Sequence, residues 1–389
     1  MGPYRDLFDH KPPLIYLWYL PTALGASIEA QRLFGAAAVT ASFPAMARLA
    51  RRWLDAAQVG PALTAYALLL ANPYLALGAN SEAFMLPALT WAFAVSSPLL
   101  AGALIDVAVM TKPVALAFVP LLVAPWGRRS WPGLAGVALV ILAVSAAFVP
   151  VWGDYWYANV TFNVRYGAHI DAFVRLTRLL VVNPLVVAPM LPVWYLALRG
   201  ARALPDARLL LWVACGYVSV KLTGFDFPHY YALAVPPVAL LAGAGARGVS
   251  LRSPGLRALG AVSAALLVAG LVVALLRPGD PLAEEARRTP GELYVLGDRS
   301  ELYAYAGRKP QRRFFYSVPL VVDRDRSASV RDDLTRCPPD VVVVPRNNVF
   351  SVDWQDDVGA LYHERVEFDE GVIYRHPRAP CVEGEVQGP

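Results

Sequence analysis

The sequence is short of charge. Only 17% of its 389 residues are Asp, Glu, Lys or Arg, 57% are hydrophobic, and mean hydropathy is +0.43. Soluble domains are about a quarter charged and about half apolar, so this composition is displaced towards lipid and excludes an ordinary soluble chain. The net charge of +5 does not indicate nucleic acid, because the arginines fall in short clusters between apolar runs rather than along a phosphate-tracking surface. No Gly-rich phosphate fingerprint occurs, and His363 and His376 lack metal-ligand spacing. Cysteine is scarce too. Cys215 lies in an apolar run as inert packing; Cys337 and Cys381 lie near the C-terminus, either joined in an oxidising compartment or left as two free thiols.

What is present is a series of apolar runs. A spanning helix needs about 20 apolar residues. Candidate spans are 30–50, 60–78, 83–99, 100–112, 113–126, 132–151, 182–199, 208–223, 230–247 and 258–276, with Asp106 interrupting the fourth. From Arg277 onward the chain is dense in Asp, Glu and Arg. The expected fold class is therefore a polytopic α-helical membrane protein with a small C-terminal α/β domain. Its expected divisions are 1–29 (outer-face loop and interfacial helix), 30–276 (transmembrane domain) and 277–389 (extracytoplasmic domain). In the tail, strands are predicted at 293–297, 312–316, 340–345 and 371–375, and helices at 300–307, 329–336 and 356–363.

With ten spans, Arg48, Arg51 and Arg52, then Arg128 and Arg129, then Arg199, Arg202 and Arg208, then Arg247, Arg252 and Arg257 all fall on one side, which is then cytoplasmic. The opening segment, the turn "GANSE", the loop 152–171, the turn "GFDFPHYY" and the tail then face outward. The only lysines before the tail, Lys11, Lys112 and Lys221, lie at outward ends of spans. Trp152, Tyr155, Trp156 and Tyr157 in the long loop form first a membrane-interface anchor, with sugar stacking as the second reading.

The opening segment gathers Asp6, Asp9, His10 and Lys11 immediately before Pro12 and Pro13, and residues 14–25, with Pro21 inside, suit a helix lying along the interface. Glu82 sits on the next outward turn, and His229 and Tyr230 follow Pro228 on another. A lysine ammonium binds phosphate as a point charge, and histidine with carboxylate can hold a metal or relay protons. Such parts at headgroup level suit a ligand with a phosphate at the surface and a tail in the bilayer.

The stretch "PYRDLFDHKPPLIYLWY" resembles the loop after the first helix of the GT-C fold glycosyltransferases, in the branch holding dolichyl-phosphate-mannose protein mannosyltransferase-like proteins and the lipid A aminoarabinose transferases, whose members read close to PY-x-D-x-x-x-x-KPP-L-x-Y. "ANSEAFM", "TKP" at 111–113, "HYYALAVPP" and an outer α/β tail extend the resemblance over nearly the whole chain. It implies inverting transfer of a sugar from a polyprenyl-phosphate donor to a protein, lipid or glycan acceptor on the outer face. Lys11 would hold the donor phosphate, with His10, His229 and Tyr230 beside it; Tyr4 and Glu82 would line the cavity, and His10 and His229 could take a divalent ion. Membrane lipids are the other expected partners.

In that family the general base is an aspartate at the end of the first transmembrane helix, some tens of residues before KPP. This chain has no residue at that place, leaving Asp6 and Asp9 as the candidate bases. The expectation is that a first helix is missing, through a misplaced start or a fragment, and that the chain as given is catalytically impaired. A non-catalytic relative acting as scaffold is one alternative. A secondary transporter is another, supported by Asp106 and the Pro-rich helices; against it, the polar groups lie at span ends and no repeat is present.

Overall fold

The computed structural model describes residues 3–25, 27–75, 77–123, 130–168, 172–204, 206–222, 227–250, 253–276, 280–346 and 351–377. The chain divides into two compact units: Met1–His10, Val151–His169 and Pro278–Pro389 form the first, and Lys11–Pro150 and Ile170–Arg277 the second.

The second unit is helical, and each of the ten apolar windows contains helix among the described residues. Among the described residues three helices are long and apolar enough to cross a membrane, Ile28–Trp53, Leu179–Ala203 and Pro254–Val273. Others are shorter, among them Ala56–Leu70 and Pro98–Val109. In the window 113–126 the chain forms a 3-10 helix, Pro113–Phe118, then the single turn Pro120–Val123. Pro113 and Pro120 lack the N–H groups that a continuous helix would use.

Lipid supplies little hydrophobic drive for one apolar helix to seek another, so these helices associate by close backbone approach at small residues. A methyl group at Gly200, on Leu191–Ala203, would lie 1.8 Å from the Leu241 carbonyl oxygen, and one at Gly245, on Val235–Gly245, would lie 1.9 Å from that of Leu196. Gly102 on Pro98–Val109 meets Gly133 on Ser130–Ala146 in the same way, at 1.8 Å. The core beside these contacts includes Met46, Leu49, Phe118, Trp212 and Leu240, with Cys215 a buried free thiol. Asp106 is fully buried.

The first unit is built on a four-stranded sheet: β1 (Leu293–Val295), β2 (Val341–Pro345), β3 (Tyr362–Phe368) and β4 (Gly371–Pro377), in the order β1-β2-β4-β3. β1 pairs parallel with β2, and β4 pairs antiparallel with both β2 and β3. One face packs Tyr294, Val342 and Val344 on Leu320, Val330, Leu334 and Trp354; the other packs Leu293, Val295, Val341 and Val343 on Leu282, Ala286 and Leu302. With both faces covered, β1 and β2 are buried throughout, which explains their unbroken apolar runs.

Three expectations are corrected. Residues 312–316 are not a strand. Their carbonyls are taken elsewhere: Arg313 O accepts from Phe8 N at 2.8 Å, Phe314 O from Tyr294 Oη and Phe315 O from Tyr303 Oη. β3 was not expected, because its outer positions are charged and it covers only one edge of the sheet. The loop 152–171 is helical over Trp152–Trp156, a π turn Tyr157–Thr161 and Phe162–Ala168. It is seated by Tyr155, Ala158 and Phe162, with Phe162 edge-on to Phe8 at 5.1 Å. Cys337 is disulfide-bonded, while Cys381 lies outside the described residues.

Asp323 fastens this helix. It accepts from Tyr157 Oη at 2.8 Å and lies 3.1 Å from Arg326 Nε, whose guanidinium stands 4.0 Å over the Tyr157 ring. Burial opposes ionisation of Asp323. The hydrogen bonds from Tyr157 and the Arg326 backbone, with the Arg326 and Arg165 charges, outweigh it and hold the carboxyl below the usual range.

Two outcomes follow. Gly200→Ala should cost about 1–3 kcal/mol in thermal unfolding in detergent, because the added methyl meets backbone, whereas Gly60→Ala, with open space around it, should cost nothing. Because the folded pKa of Asp323 lies below the unfolded one, its stabilisation is present above about pH 4 and lost as pH falls through the folded value. Asp323→Asn should therefore flatten the acid limb of the stability curve, measured by unfolding at stepped pH.

Candidate functional site

In the second unit the pieces quoted from the sequence come together. The opening segment runs through buried Pro12 and Pro13 into two short helices, Leu14–Trp18 and Leu20–Ala23, rather than one interfacial helix. Pro21 is the second residue of the latter, with the break at Tyr19. Leu14 N donates to Met110 O at 2.9 Å, and Trp18 Nε1 donates to Thr111 Oγ1 at 2.9 Å. The Trp18 ring stacks on Phe84 at 5.3 Å, and Tyr19 Oη donates to Ala79 O. "KPPLIYLW", "ANSEAF" and "TKP" are thus one assembly.

At its centre is a buried ion pair. Glu82 occupies the first turn of Ser81–Ala94, where unpaired backbone N–H groups favour a carboxylate. Lys112 follows Pro98–Val109, and Pro113 after it holds its backbone extended, turning the side chain out of the helix register. Lys112 Nζ lies 2.6 Å from Glu82 Oε1; Glu82 is 0% exposed and the Lys112 side chain 13%. Ser81 Oγ donates to Glu82 Oε2 at 3.0 Å, and His229 Nε2 lies 3.8 Å from the same oxygen. The ammonium also sits 3.7 Å over the Tyr230 ring. Phe227 stacks on His229 at 5.5 Å, and Tyr230 meets His229 edge-on at 4.8 Å.

Of the expected residues, the structure gathers Glu82, His229 and Tyr230 here. Lys11 begins the same unit, half-buried. The remainder fall in the first unit. His10 Nδ1 is 3.0 Å from Tyr316 Oη and 3.6 Å from Asp9 Oδ1, and Asn163 Nδ2 donates to His10 O at 2.8 Å. Burial pushes the Tyr316 phenol well above its ordinary value, with Asp9 and Tyr166 adding to it, so it remains a neutral hydroxyl. Tyr4 is fully buried, edge-on to Tyr155 at 5.4 Å, in the left-handed backbone region with φ 72°. Asp6 pairs with Arg5 at 3.2 Å.

The donor sets do not fit a divalent ion. Among the described residues no group of three or more His, Cys, Asp or Glu side chains is placed to hold one. At Glu82 the Lys112 ammonium already supplies the positive charge that a metal would bring. Lys112 is the residue that sequence reasoning left out of the site. Its signal was a lone cation closing an apolar helix just before proline.

Removing one partner of a buried pair leaves the other uncompensated. Lys112→Met should cost about 3–5 kcal/mol of stability, and Glu82→Gln with Lys112→Met together should cost clearly less than the sum of the single changes. Thermal unfolding of the four members of the double-mutant cycle measures this.

No family model and no curated protein matches the sequence. Its fold, however, matches solved structures. ArnT from Cupriavidus metallidurans bound to undecaprenyl phosphate superimposes with a TM-score of 0.62 at 16% identity, covering 98% of this chain and 90% of that one. The same protein in the apo state superimposes with a TM-score of 0.61 at 17% identity, covering 95% and 88%. With its apolar helices and small C-terminal sheet, the chain is an integral membrane protein of the GT-C fold.

Proposed function

We propose that the protein is a multi-pass membrane glycosyltransferase that moves a sugar from a polyprenyl-phosphate carrier to a protein, lipid or glycan acceptor at the extracytoplasmic face. The observation that carries the reading is the likeness in fold, over 98% of this chain, to ArnT, one structure of which holds undecaprenyl phosphate. The buried cluster at the KPP, SEAF and TKP turns adds to it, because it ties down the segment that begins with Lys11.

In the proposed reaction an acceptor hydroxyl oxygen forms a bond to the anomeric carbon from the face opposite the phosphate. The carbon–oxygen bond to phosphate breaks, and polyprenyl phosphate leaves with the electron pair. The configuration inverts, and the acceptor proton passes to a base, for which Asp6 and Asp9 are the candidates. The developing charge on the leaving phosphate needs a cation. The resemblance at "KPP" assigns that role to Lys11, an ammonium that binds phosphate as a point charge. His229 and Tyr230 hold Lys112 and Glu82 in place, and His10 stands one residue before Lys11.

The test is transfer by the full chain in nanodiscs supplied with polyprenyl-phosphate sugars and candidate acceptors. Lys11→Ala should lower turnover about 10–100-fold, the loss of one charge-assisted contact, with thermal unfolding unchanged. Normal turnover in a folded Lys11→Ala variant would remove the phosphate role. Donor binding without transfer by the unaltered chain would favour the scaffold reading.

A further inference from the structure

The helical segment from Trp152 to Ala168 has two faces of different use. Tyr155, Ala158 and Phe162 are buried in the first unit. The opposite face presents Trp152, 46% exposed, Trp156, 50%, Val160, 38%, and Val164, 72%. These fall at every fourth position. In an unbroken α-helix each such step turns the stripe by about 40°, so three steps would carry it about a third of the way round. Here the middle step crosses the π turn Tyr157–Thr161, whose wider turn takes back part of that drift, and all four side chains are exposed.

The stripe is not a general property of the unit's surface. Among the described residues of the first unit, the exposed large hydrophobics are these four and Tyr305. The stripe also continues a run along the chain. The apolar helix Ser130–Ala146 leaves Leu139 and Leu142 exposed, Val149 is exposed after it, and Trp152 comes six residues beyond its end. An apolar helix ending in water must hand the chain over at the boundary between acyl chains and headgroups, and indoles partition to that boundary.

We propose that Trp152, Trp156, Val160 and Val164 form an amphipathic anchor lying in the bilayer interface, with the lipid surface as its occupant. Trp152 and Trp156 take the headgroup level, while Val160 and Val164 reach the acyl boundary. Tyr155 and Tyr157 do not share in it: Tyr155 is buried, and Tyr157 donates to Asp323. The anchor is independent of any chemistry at Glu82 or Lys11.

The experiment uses the full chain in phosphatidylcholine nanodiscs, in a Cys215→Ser background, spin-labelled singly at Trp156→Cys, Val160→Cys or Val164→Cys. Ser329→Cys, exposed on the helix Arg324–Arg336, is the aqueous reference. The three stripe positions should show raised oxygen collision and several-fold lower collision with a nickel chelate than position 329. Nickel collision equal to the reference would overturn the proposal by placing the face in water. Protection from oxygen and nickel alike would also overturn it, by placing a second copy or another protein on the face. Quenching by brominated lipid gives a check with the labels absent: Trp152→Phe with Trp156→Phe should remove part of the quenchable fluorescence, and no change would count against the anchor.

Discussion

A carboxylate and an ammonium withdrawn from water together set the terms for the helical unit. Glu82 is fully buried and Lys112 nearly so, and each is tolerable only because the other lies 2.6 Å away. Keeping them there requires the helix Ser81–Ala94 to begin, and the helix Pro98–Val109 to end, at the same place. The Pro113 turn, the Ser81 hydroxyl and the Tyr230 ring each fix part of that geometry. The opening segment is hung from the same turn through Leu14 and Trp18. The ion pair works as a registry device: it costs desolvation and in return fixes where four separate stretches of chain meet.

The rest of that unit obeys a different constraint. Where lipid removes the hydrophobic reward for contact, helices gain from dispersion at short range, and glycine permits it. Gly200 with Gly245, and Gly102 with Gly133, bring backbone against backbone in two helix pairs. The first unit returns to the rules of water-soluble folds, with a sheet covered on both faces and a polar edge strand.

Apolar runs were legible because a single physical demand, crossing or lining a hydrocarbon layer, acts on every residue in them. β1 and β2 were legible for a related reason, since burial on both faces leaves "LYV" and "VVVVP" without interruption. The segment 312–316 has the aromatic content of a strand, yet its carbonyls accept from Tyr294, Tyr303 and Phe8, contacts that depend on residues far away in sequence. The helix after Trp152 was hidden by glycine, asparagine and aromatics of modest helix propensity, overridden by the burial of Tyr155, Ala158 and Phe162. At the site, Glu82, His229 and Tyr230 stood out as polar residues at turns, whereas the role of Lys112 depends on a partner thirty residues away and is visible only in space.

The central claim is that the chain holds a lipid-linked phosphate through the segment opened by Lys11. Its most direct test is equilibrium binding of undecaprenyl phosphate to the full chain in detergent, followed by native mass spectrometry beside undecaprenol as the uncharged control. The account predicts saturable binding of the phosphate, weaker binding of the alcohol and a loss of that difference in Lys11→Ala. Equal binding of phosphate and alcohol by the unaltered chain would contradict it.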